Sequence, residues 1–370
     1  MPAFSRFTQL AESLPATVPF VGPETQERAR GAEFAARLGA NESGFGPAPS
    51  VIAAIAAAAE LSWRYCDPEN HDLRMALSAH LGLPPEAIVV GEGIDGLLGL
   101  VVRLIVERDT PVVTSLGAYP TFNFHVVGHG GRLVTAPYLD DREDLNALID
   151  LVERETAPLV YVSNPDNPTG SCAHADSIVA LARALPATTM LVLDEAYCEM
   201  APQDSVPAIG DLAGMPNVIR FRTFSKVYGL AGLRVGYAFG DPDTMSRFHR
   251  VRNHFGVTRI GQVAALAALA DQDWLTSVIG RVARARDRLS DIARANGLVP
   301  LVSAANFVAM DCGDDQRARA ILSGLVGHGV FIRMPGVAPL NRLIRVSTGP
   351  DAELDVFSDR LSEVVATIDS

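Results

Sequence analysis

Short apolar runs alternate with stretches of helical spacing through the first two thirds of the chain, and glycine or proline marks many of the turns between them. Buried strands that alternate with helices are typical of α/β domains with a mostly parallel sheet, so the pattern predicts this fold class. The predicted strands cover residues 87–90, 111–115, 132–136, 159–162, 190–193, 218–222 and 234–239, and the helices between them include 96–106, 145–155 and 175–184.

The two ends of the chain follow other patterns. Residues 1–40 hold several prolines and no clean periodicity, which favours an N-terminal arm rather than a core element. Two helices are expected before the first strand, and Asp72 is a candidate cap for the second of them. After a turn at residues 240–242, long helical stretches and short apolar runs indicate an α+β region. The expected segments are helices over 50–61, 72–81, 263–269, 275–295 and 352–368, and strands over 307–311, 330–333 and 343–347.

These patterns divide the chain into three parts. We expect an arm over residues 1–40, a large domain with a mostly parallel sheet flanked by helices over 41–245, and a smaller α+β domain over 246–370. The length of 370 residues agrees with two domains, because a single hydrophobic core rarely grows beyond about 250–300 residues.

Composition excludes several classes of partner and site. The formal net charge of −12 and the isoelectric point near 5.1 disfavour nucleic acids and anionic membranes as partners. The longest apolar run, residues 51–59, is too short to span a bilayer, and the N-terminus lacks the pattern of a signal peptide. We therefore expect a cytoplasmic protein. The four cysteines have no CxxC spacing, which predicts reduced thiols and no metal site; they are Cys66, Cys172, Cys198 and Cys312.

Lys226 is the only lysine in the chain, and all other basic residues are arginine. A guanidinium stays protonated and cannot form an imine with an aldehyde, whereas a lysine whose pKa falls on burial can do so. An arginine-rich composition could also leave one surface lysine by chance. The residues near Lys226 in the fold must decide between these interpretations.

Polar clusters follow five of the predicted strands, at the sheet edge where ligands of α/β proteins bind. An aldehyde cofactor on Lys226, such as pyridoxal phosphate, would need an anion for its pyridine nitrogen, donors for its phenolic oxygen, a platform for its ring and a cradle for its phosphate. Five such clusters are difficult to explain as ordinary loops. They cover residues 91–95, 117–119, 164–170, 194–197 and 223–226.

Each requirement has a candidate residue. Asp194 ends a run too apolar to solvate a carboxylate, so its charge needs a cation such as a pyridinium; a helix cap at the strand end is the alternative. Asn167 and Tyr197 are candidate donors to the phenolic oxygen, and Tyr119 is either the ring platform or a core aromatic. The candidate phosphate ligands are the helix start at Gly93, Ile94 and Asp95, together with Thr223, Ser225 and Arg234.

Together these motifs resemble the class I and II pyridoxal-phosphate aminotransferases of fold type I, most closely the histidinol-phosphate aminotransferase family. The motifs are GEGIDG, GAYPTF, NPDNPTG, DEAY, TFSKVYGLAGLRVGY and IRVSTG. The resemblance implies that Lys226 is the Schiff-base lysine and that Asp194 pairs with the pyridine nitrogen. It implies that Asn167 and Tyr197 bind the phenolic oxygen. It also implies that the phosphate cradle consists of Thr223, Ser225, Arg234 and the backbone of Ile94 and Asp95. It also implies a homodimer whose active sites are shared across the interface.

The same resemblance suggests substrate and interface residues. Tyr65 matches a tyrosine that reaches the phosphate of the neighbouring subunit, and Arg345 matches the arginine that binds the α-carboxylate of the substrate. Arg333 matches an arginine associated with the phosphate or side chain of the substrate, although a surface arginine is the alternative. Asn41 and Asn306 are expected on the substrate side.

Several segments depart from the family pattern, and they lie mainly around substrate recognition. They are Ile94, the Gly117-Ala118 pair with Phe122, and residues 254–258. We expect transamination between an amino substrate, such as histidinol phosphate or a related aromatic amino acid, and a 2-oxo acid such as 2-oxoglutarate. Two alternatives stay open: decarboxylation of a phospho-amino acid such as threonine phosphate, and a non-catalytic module that binds the cofactor.

Overall fold

The computed structural model describes residues 6–15 and 21–369; residues 1–5, 16–20 and 370, which include parts of the predicted arm, lie outside the described residues. The helices are α1 Gln9–Ser13, α2 Pro23–Arg30, α3 Pro49–Ala59, α4 His71–Leu81, α5 Gly93–Ile105, α6 Pro120–Gly128, α7 Leu145–Glu155, α8 Ala175–Ala184, α9 Pro242–Ser246, α10 Arg259–Ala270, α11 Gln272–Ala295, α12 Asp315–Gly327 and α13 Asp351–Ile368. The strands are β1 Ala36–Arg37, β2 Ile88–Gly91, β3 Pro111–Ser115, β4 Arg132–Ala136, β5 Leu159–Ser163, β6 Met190–Asp194, β7 Val218–Thr223, β8 Gly236–Gly240, β9 Val299–Pro300, β10 Phe307–Asp311, β11 Val330–Phe331 and β12 Leu343–Ser347.

A seven-stranded sheet forms the centre of the described chain, in the order β2-β8-β7-β6-β5-β3-β4. Strand β8 runs antiparallel to its neighbours β2 and β7, and the other neighbouring pairs are parallel. Helices cover both faces, so a strand such as β5 is buried along its whole length. The predicted α/β fold with a mostly parallel sheet is confirmed.

Successive side chains of a central strand enter different cores, because a β-strand points alternate residues to opposite faces. Val160 and Val162 of β5 pack on one face with α7 and α8. Tyr161 lies on the other face, in the core that contains residues of α5, α6 and α10. This alternation decides which strand residues can approach the site described below.

A second region follows β8 and contains two small sheets. Strands β12, β10 and β9 form an antiparallel sheet, in which Ala309 pairs with Arg345. Strand β11 pairs with β1 in parallel. Side chains of α11, α12 and α13 form a separate core with these strands. The division of the chain at residues 245 and 246 stays a prediction.

The expectation that residues 1–40 contribute no core element is wrong for residues 36–38. Ala36 and Leu38 are 1% exposed and belong to the core of the second region. The backbone N–H of Leu38 donates to the carbonyl of Phe331, and its carbonyl accepts from Ser347. A two-residue strand is too short to show the alternation of apolar and polar residues by which strands are recognised in a sequence. The position of β1 is set by its pairing with β11, which is distant in the chain.

Other predicted boundaries differ for local reasons. Helix α6 was not predicted, since its sequence is rich in aromatic and β-branched residues of modest helix propensity; Pro120 starts it. Asn70, and not Asp72, precedes α4, and Asp72 lies in the first turn. Arg234 does not belong to the predicted strand over 234–239. Its φ of 55° is left-handed and β8 begins only at Gly236.

No helix in the described ranges is long and apolar enough to cross a membrane. The carboxyl ends of β5, β6 and β7 instead lie side by side, with Ser163 opposite Asp194 and Asp194 opposite Phe221. The polar clusters that follow these strands are thereby brought to one edge of the sheet.

We predict that Leu38→Ala lowers the stability of the protein by about 2–5 kcal/mol, because it leaves a cavity in the second core. The matched control is Leu139→Ala, since Leu139 is 59% exposed and its truncation should cost within about 0.5 kcal/mol. Chemical denaturation followed by circular dichroism measures both. Equal stabilities of the two variants would contradict the assignment of Leu38 to the core.

Candidate active site

A cavity of about 740 Å³ lies at the carboxyl edge of the large sheet, beneath the strands of the second region. Its volume is in the range of sites that hold a cofactor and a small substrate. Thirteen of the predicted site residues line it: Asn41, Ile94, Asp95, Tyr119, Asn167, Asp194, Tyr197, Thr223, Ser225, Lys226, Arg234, Arg333 and Arg345.

Lys226 follows β7 and presents its amine to this cavity. The amine donates to the carbonyl of Asn41 at 3.2 Å and lies 5.7 Å from the centre of the Tyr197 ring. Burial lowers the pKa of Lys226 to about 8, helped by the nearby guanidinium groups of Arg345 and Arg234. Roughly a tenth of the amine is therefore unprotonated at pH 7, and this is the form that a nucleophile or a general base requires.

Asp194 ends β6 and is 4% exposed. Its Oδ2 accepts from the hydroxyl of Tyr161 at 2.8 Å, and its Oδ1 accepts from the backbone N–H of Ala196 at 3.0 Å. Burial raises the pKa of Asp194 to about 6, against the opposing effects of these two donors and of Lys226. A buried carboxylate with so few protein partners suits an additional cationic partner.

The phosphate candidates meet at the first turn of α5. The hydroxyl of Thr223 donates to Ser225 Oγ at 2.9 Å, and the Ser225 N–H donates back to Thr223 Oγ1 at 3.0 Å. Arg234 reaches Ser225 Oγ at 3.5 Å from its left-handed position. Two hydroxyls, a guanidinium and the N-terminus of a 13-residue helix form a donor set for a phosphate.

The absence of a side chain at Gly93 leaves space for Arg234 in the phosphate cradle. The φ of Gly93 is 74°, and a Cβ at this position would lie 2.6 Å from a terminal nitrogen of Arg234. A Cβ on Gly236 would likewise lie 2.9 Å from the backbone of Gly93 and Ile94. The chain thus keeps side chains out of the space where Arg234 and the helix N-terminus converge, which fits a bound phosphate group.

The opposite side of the cavity holds an amide, a phenol and a guanidinium. Arg345 on β12 donates to Oδ1 of Asn167, and its guanidinium lies 5.3 Å from the ring centre of Phe307. The Tyr197 hydroxyl accepts from the side chain of Asn41 at 3.1 Å. Burial raises the pKa of Tyr197 and lowers that of Arg345. Tyr197 therefore stays a neutral donor that can serve a phenolate oxygen.

Three predicted residues do not line the cavity. Gly93 lies behind the cradle, as described above. Asn306 is 1% exposed and donates to the carbonyls of Asn41 and Glu42 at 3.0 and 3.2 Å, so it supports the Asn41 loop from behind. Tyr65 is 80% exposed and lies 5.0 Å from the ring of Phe255. Its expected role toward a neighbouring subunit stays a prediction.

Two side chains that hydrogen-bond to predicted site residues were not predicted from the sequence. Tyr161 lies within an apolar strand, where a tyrosine is indistinguishable from a core aromatic until the register of β5 and β6 is known. His125 contacts Oδ1 of Asp95 at 2.8 Å from α6, the helix that was not predicted. In the described ranges, no group of three His, Cys, Asp or Glu side chains is placed to hold a metal ion.

The donor set matches the groups of pyridoxal phosphate one by one. The cradle suits a phosphate, Asp194 suits a protonated ring nitrogen, Asn167 and Tyr197 suit a phenolic oxygen, and Lys226 is the amine. Tyr119, at the start of α6, lines the same cavity, and burial raises its pKa. The residues present therefore fit this cofactor.

Comparisons with known proteins agree with this geometry. Residues 36–361 match the family "Aminotransferase class I and II". The crystal structure of histidinol-phosphate aminotransferase from Sinorhizobium meliloti, in complex with pyridoxal-5'-phosphate, is similar to this chain with 62% identity and a TM-score of 0.96, over 99% of both chains.

Curated relatives agree as well. Histidinol-phosphate aminotransferase 1 of Nitrosococcus oceani is 36% identical over 92% of each chain. An aromatic amino acid aminotransferase of Cutibacterium acnes is 32% identical over 93% of this chain and 96% of its own length. The predicted resemblance is confirmed, and the chain belongs to the class I and II aminotransferase family.

Proposed function

We propose that this protein is an aminotransferase that uses pyridoxal 5'-phosphate and transfers the amino group of histidinol phosphate, or of a related amino acid, to a 2-oxo acid such as 2-oxoglutarate. One observation carries the proposal: Lys226 and Asp194 face one cavity that also contains the donor set of a phosphate cradle. The similarity to aminotransferases named for histidinol phosphate supports the choice of donor.

Pyridoxal phosphate, when bound here, supplies an aldehyde carbon and an electron-withdrawing ring. Asp194 would hold the proton on the ring nitrogen, which would strengthen that withdrawal. Thr223, Ser225 and Arg234 would hold the phosphate. Asn167 and Tyr197 would orient the ring through its phenolic oxygen.

Lys226 has two roles in this arrangement. Its amine would bind the aldehyde group of the cofactor, and as free base it would take the proton from the substrate Cα. The carbonyl of Asn41, 3.2 Å from the amine, limits the positions it can take. A pKa of about 8 leaves more of the amine as free base near neutral pH than an ordinary lysine would have.

Two guanidinium groups are available to an anionic substrate. Arg333 and Arg345 pair through their backbones, with the Arg345 N–H 2.6 Å from the Arg333 carbonyl, and both side chains line the cavity. Arg345 suits the carboxylate of a 2-oxo acid, because a planar fork binds carboxylates in two-point contacts. Arg333 suits the phosphate of histidinol phosphate, and it also donates to the carbonyl of Val21 at 2.7 Å.

An aromatic amino acid is the second candidate donor. Leu116, Leu133 and Val337 give the cavity an apolar wall, which would accept a phenyl as well as an imidazole ring. The similarity to the Cutibacterium acnes aromatic amino acid aminotransferase supports it. Decarboxylation and a non-catalytic role are not favoured, since the named relatives are aminotransferases.

We further propose a cytoplasmic homodimer with active sites shared across the interface. The exposed side chains of Trp63, Tyr65 and Phe255 form a surface suited to a subunit contact, because large exposed aromatics are enriched at interfaces. A Tyr65 supplied by the neighbouring subunit would then complete the phosphate cradle.

We predict that Lys226→Ala abolishes transamination and the absorbance band of cofactor attached to the lysine, because no side-chain amine remains in the chain. Lys226→Arg is the matched control that retains the positive charge. It should also be inactive, since a guanidinium forms no imine. Spectrophotometry and a coupled glutamate assay measure both properties. Turnover in either variant at wild-type rates would contradict the proposed function.

We predict that Arg333→Gln raises the KM for histidinol phosphate about 10–100-fold while that for phenylalanine changes little, because a charge-assisted contact to phosphate is lost. Arg345→Gln should instead impair the half-reaction with 2-oxoglutarate. Steady-state kinetics with both donors tests this assignment. Inert histidinol phosphate with active aromatic donors would favour the second candidate, and equal effects of Arg333→Gln on both donors would contradict the role of Arg333.

A further inference from the structure

The hydroxyl of Tyr161 makes a buried hydrogen bond that takes no part in the pairing of the strands. Tyr161 is 0% exposed, in a strand otherwise built of aliphatic residues and serine, and it lies in the core on the α5 and α6 face. A phenylalanine would fill the same apolar space. Its hydroxyl, however, donates to Oδ2 of Asp194 at 2.8 Å.

The sheet register makes this contact specific. Tyr161 pairs with Val192 and Ser163 pairs with Asp194, so Tyr161 and Asp194 lie diagonally on neighbouring strands and on the same face. Only a long side chain spans that diagonal. The Tyr161 ring is stacked on Phe122 of α6, with ring centres 4.5 Å apart and planes inclined by 16°. This stacking fixes the direction of the hydroxyl.

The hydroxyl acts as a donor. Burial and the nearby Asp194 charge raise the pKa of Tyr161 well above its usual value, so the phenol keeps its proton. A neutral phenol beside a carboxylate donates its proton to the shared hydrogen bond, and this bond favours the ionised form of the acid.

Other charged and titratable groups face Asp194 from several elements. Lys226 lowers the pKa of Asp194, and Glu195, its chain neighbour, raises it. Glu195 is itself paired with Arg220 and Arg222 at 2.6 and 2.9 Å. Glu143, Tyr119 and Tyr197 also interact electrostatically with Asp194. Among the groups that oppose the effect of burial, Tyr161 contributes most.

We propose that Tyr161 is a positioning residue that keeps Asp194 ionised and directs its carboxylate toward the ring nitrogen of the cofactor. The inference rests on the proposed function and adds to it a residue that acts on the cofactor through Asp194. Tyr161 binds Oδ2 and the Ala196 N–H binds Oδ1, so the carboxylate is held at both oxygens in the wall of the cavity that Asp194 lines.

The test is the pH dependence of cofactor binding to the apoprotein. Tyr161 favours the charged form of Asp194, so Tyr161→Phe should raise the pKa of Asp194. At acidic pH a larger fraction of the Asp194 side chain would then be neutral. Cofactor affinity should therefore begin to fall at a higher pH. We call this fall of affinity at low pH the acid limb. Its midpoint should move up by about one to two pH units, as expected for the loss of a hydrogen bond to a charged group.

Two further variants separate positioning from packing. In the Asp194→Asn background, Tyr161→Phe should cause no further shift, because the group through which it acts is no longer titratable. Tyr138→Phe is the matched control, since it removes another buried tyrosine hydroxyl from an aspartate, Asp166, at 2.9 Å. Asp166 does not line the cavity, and this control should leave the acid limb in place.

Each outcome has a distinct meaning. A shift in Tyr161→Phe that is absent from Tyr138→Phe and from the Asp194→Asn background supports the inference. An unmoved acid limb, a shift that persists with Asp194→Asn, or a Tyr161→Phe protein that loses its fold in circular dichroism would overturn it. A wild-type protein that binds no pyridoxal phosphate at any pH would instead overturn the proposed function.

Discussion

The burial of the Asp194 carboxylate is the constraint on which the site depends. An ionised carboxylate removed from water is costly unless hydrogen bonds and opposite charge compensate it. The protein provides one phenol, one backbone N–H and the single lysine across the cavity. A protonated ring nitrogen would supply the remaining compensation, so the arrangement is built for a cationic heterocycle. The order of β5, β6 and β7 in the sheet brings these partners together.

The loop at Asn41 links this centre to the second region of the chain. Its carbonyl accepts from Lys226 and from Asn306, and its side chain contacts Tyr197 and Ser347. Asn306 precedes β10 and Ser347 ends β12, so the small antiparallel sheet is tied to the reactive amine through one residue. Asn41 adopts a left-handed conformation, with a φ of 54°, which asparagine tolerates better than most residues. The position of Arg345 on β12 and the position of the Lys226 amine are therefore linked through Asn41.

Most strands of the large sheet could be predicted from the sequence, because fully buried parallel strands are continuous apolar runs. The bounds of β3 and β4 are those expected, and the polar clusters after the strands identified the cavity residues. Long-range effects were not predictable in the same way. Strand β1 exists because β11 is available to pair with it, and α6 forms despite the modest helix propensity of its residues. Tyr161 and His125 were missed because their roles depend on a register and on a helix that no local pattern reveals.

The point of attachment of the cofactor shows whether Lys226 is the amine that binds it. Borohydride reduction of the protein loaded with pyridoxal phosphate makes the attachment permanent, and peptide mapping by mass spectrometry then locates it. Because the chain has one lysine, we predict one modified side chain, Lys226, in the peptide that follows β7. Modification confined to the α-amino group of Met1, or no modification of the loaded protein, would contradict it.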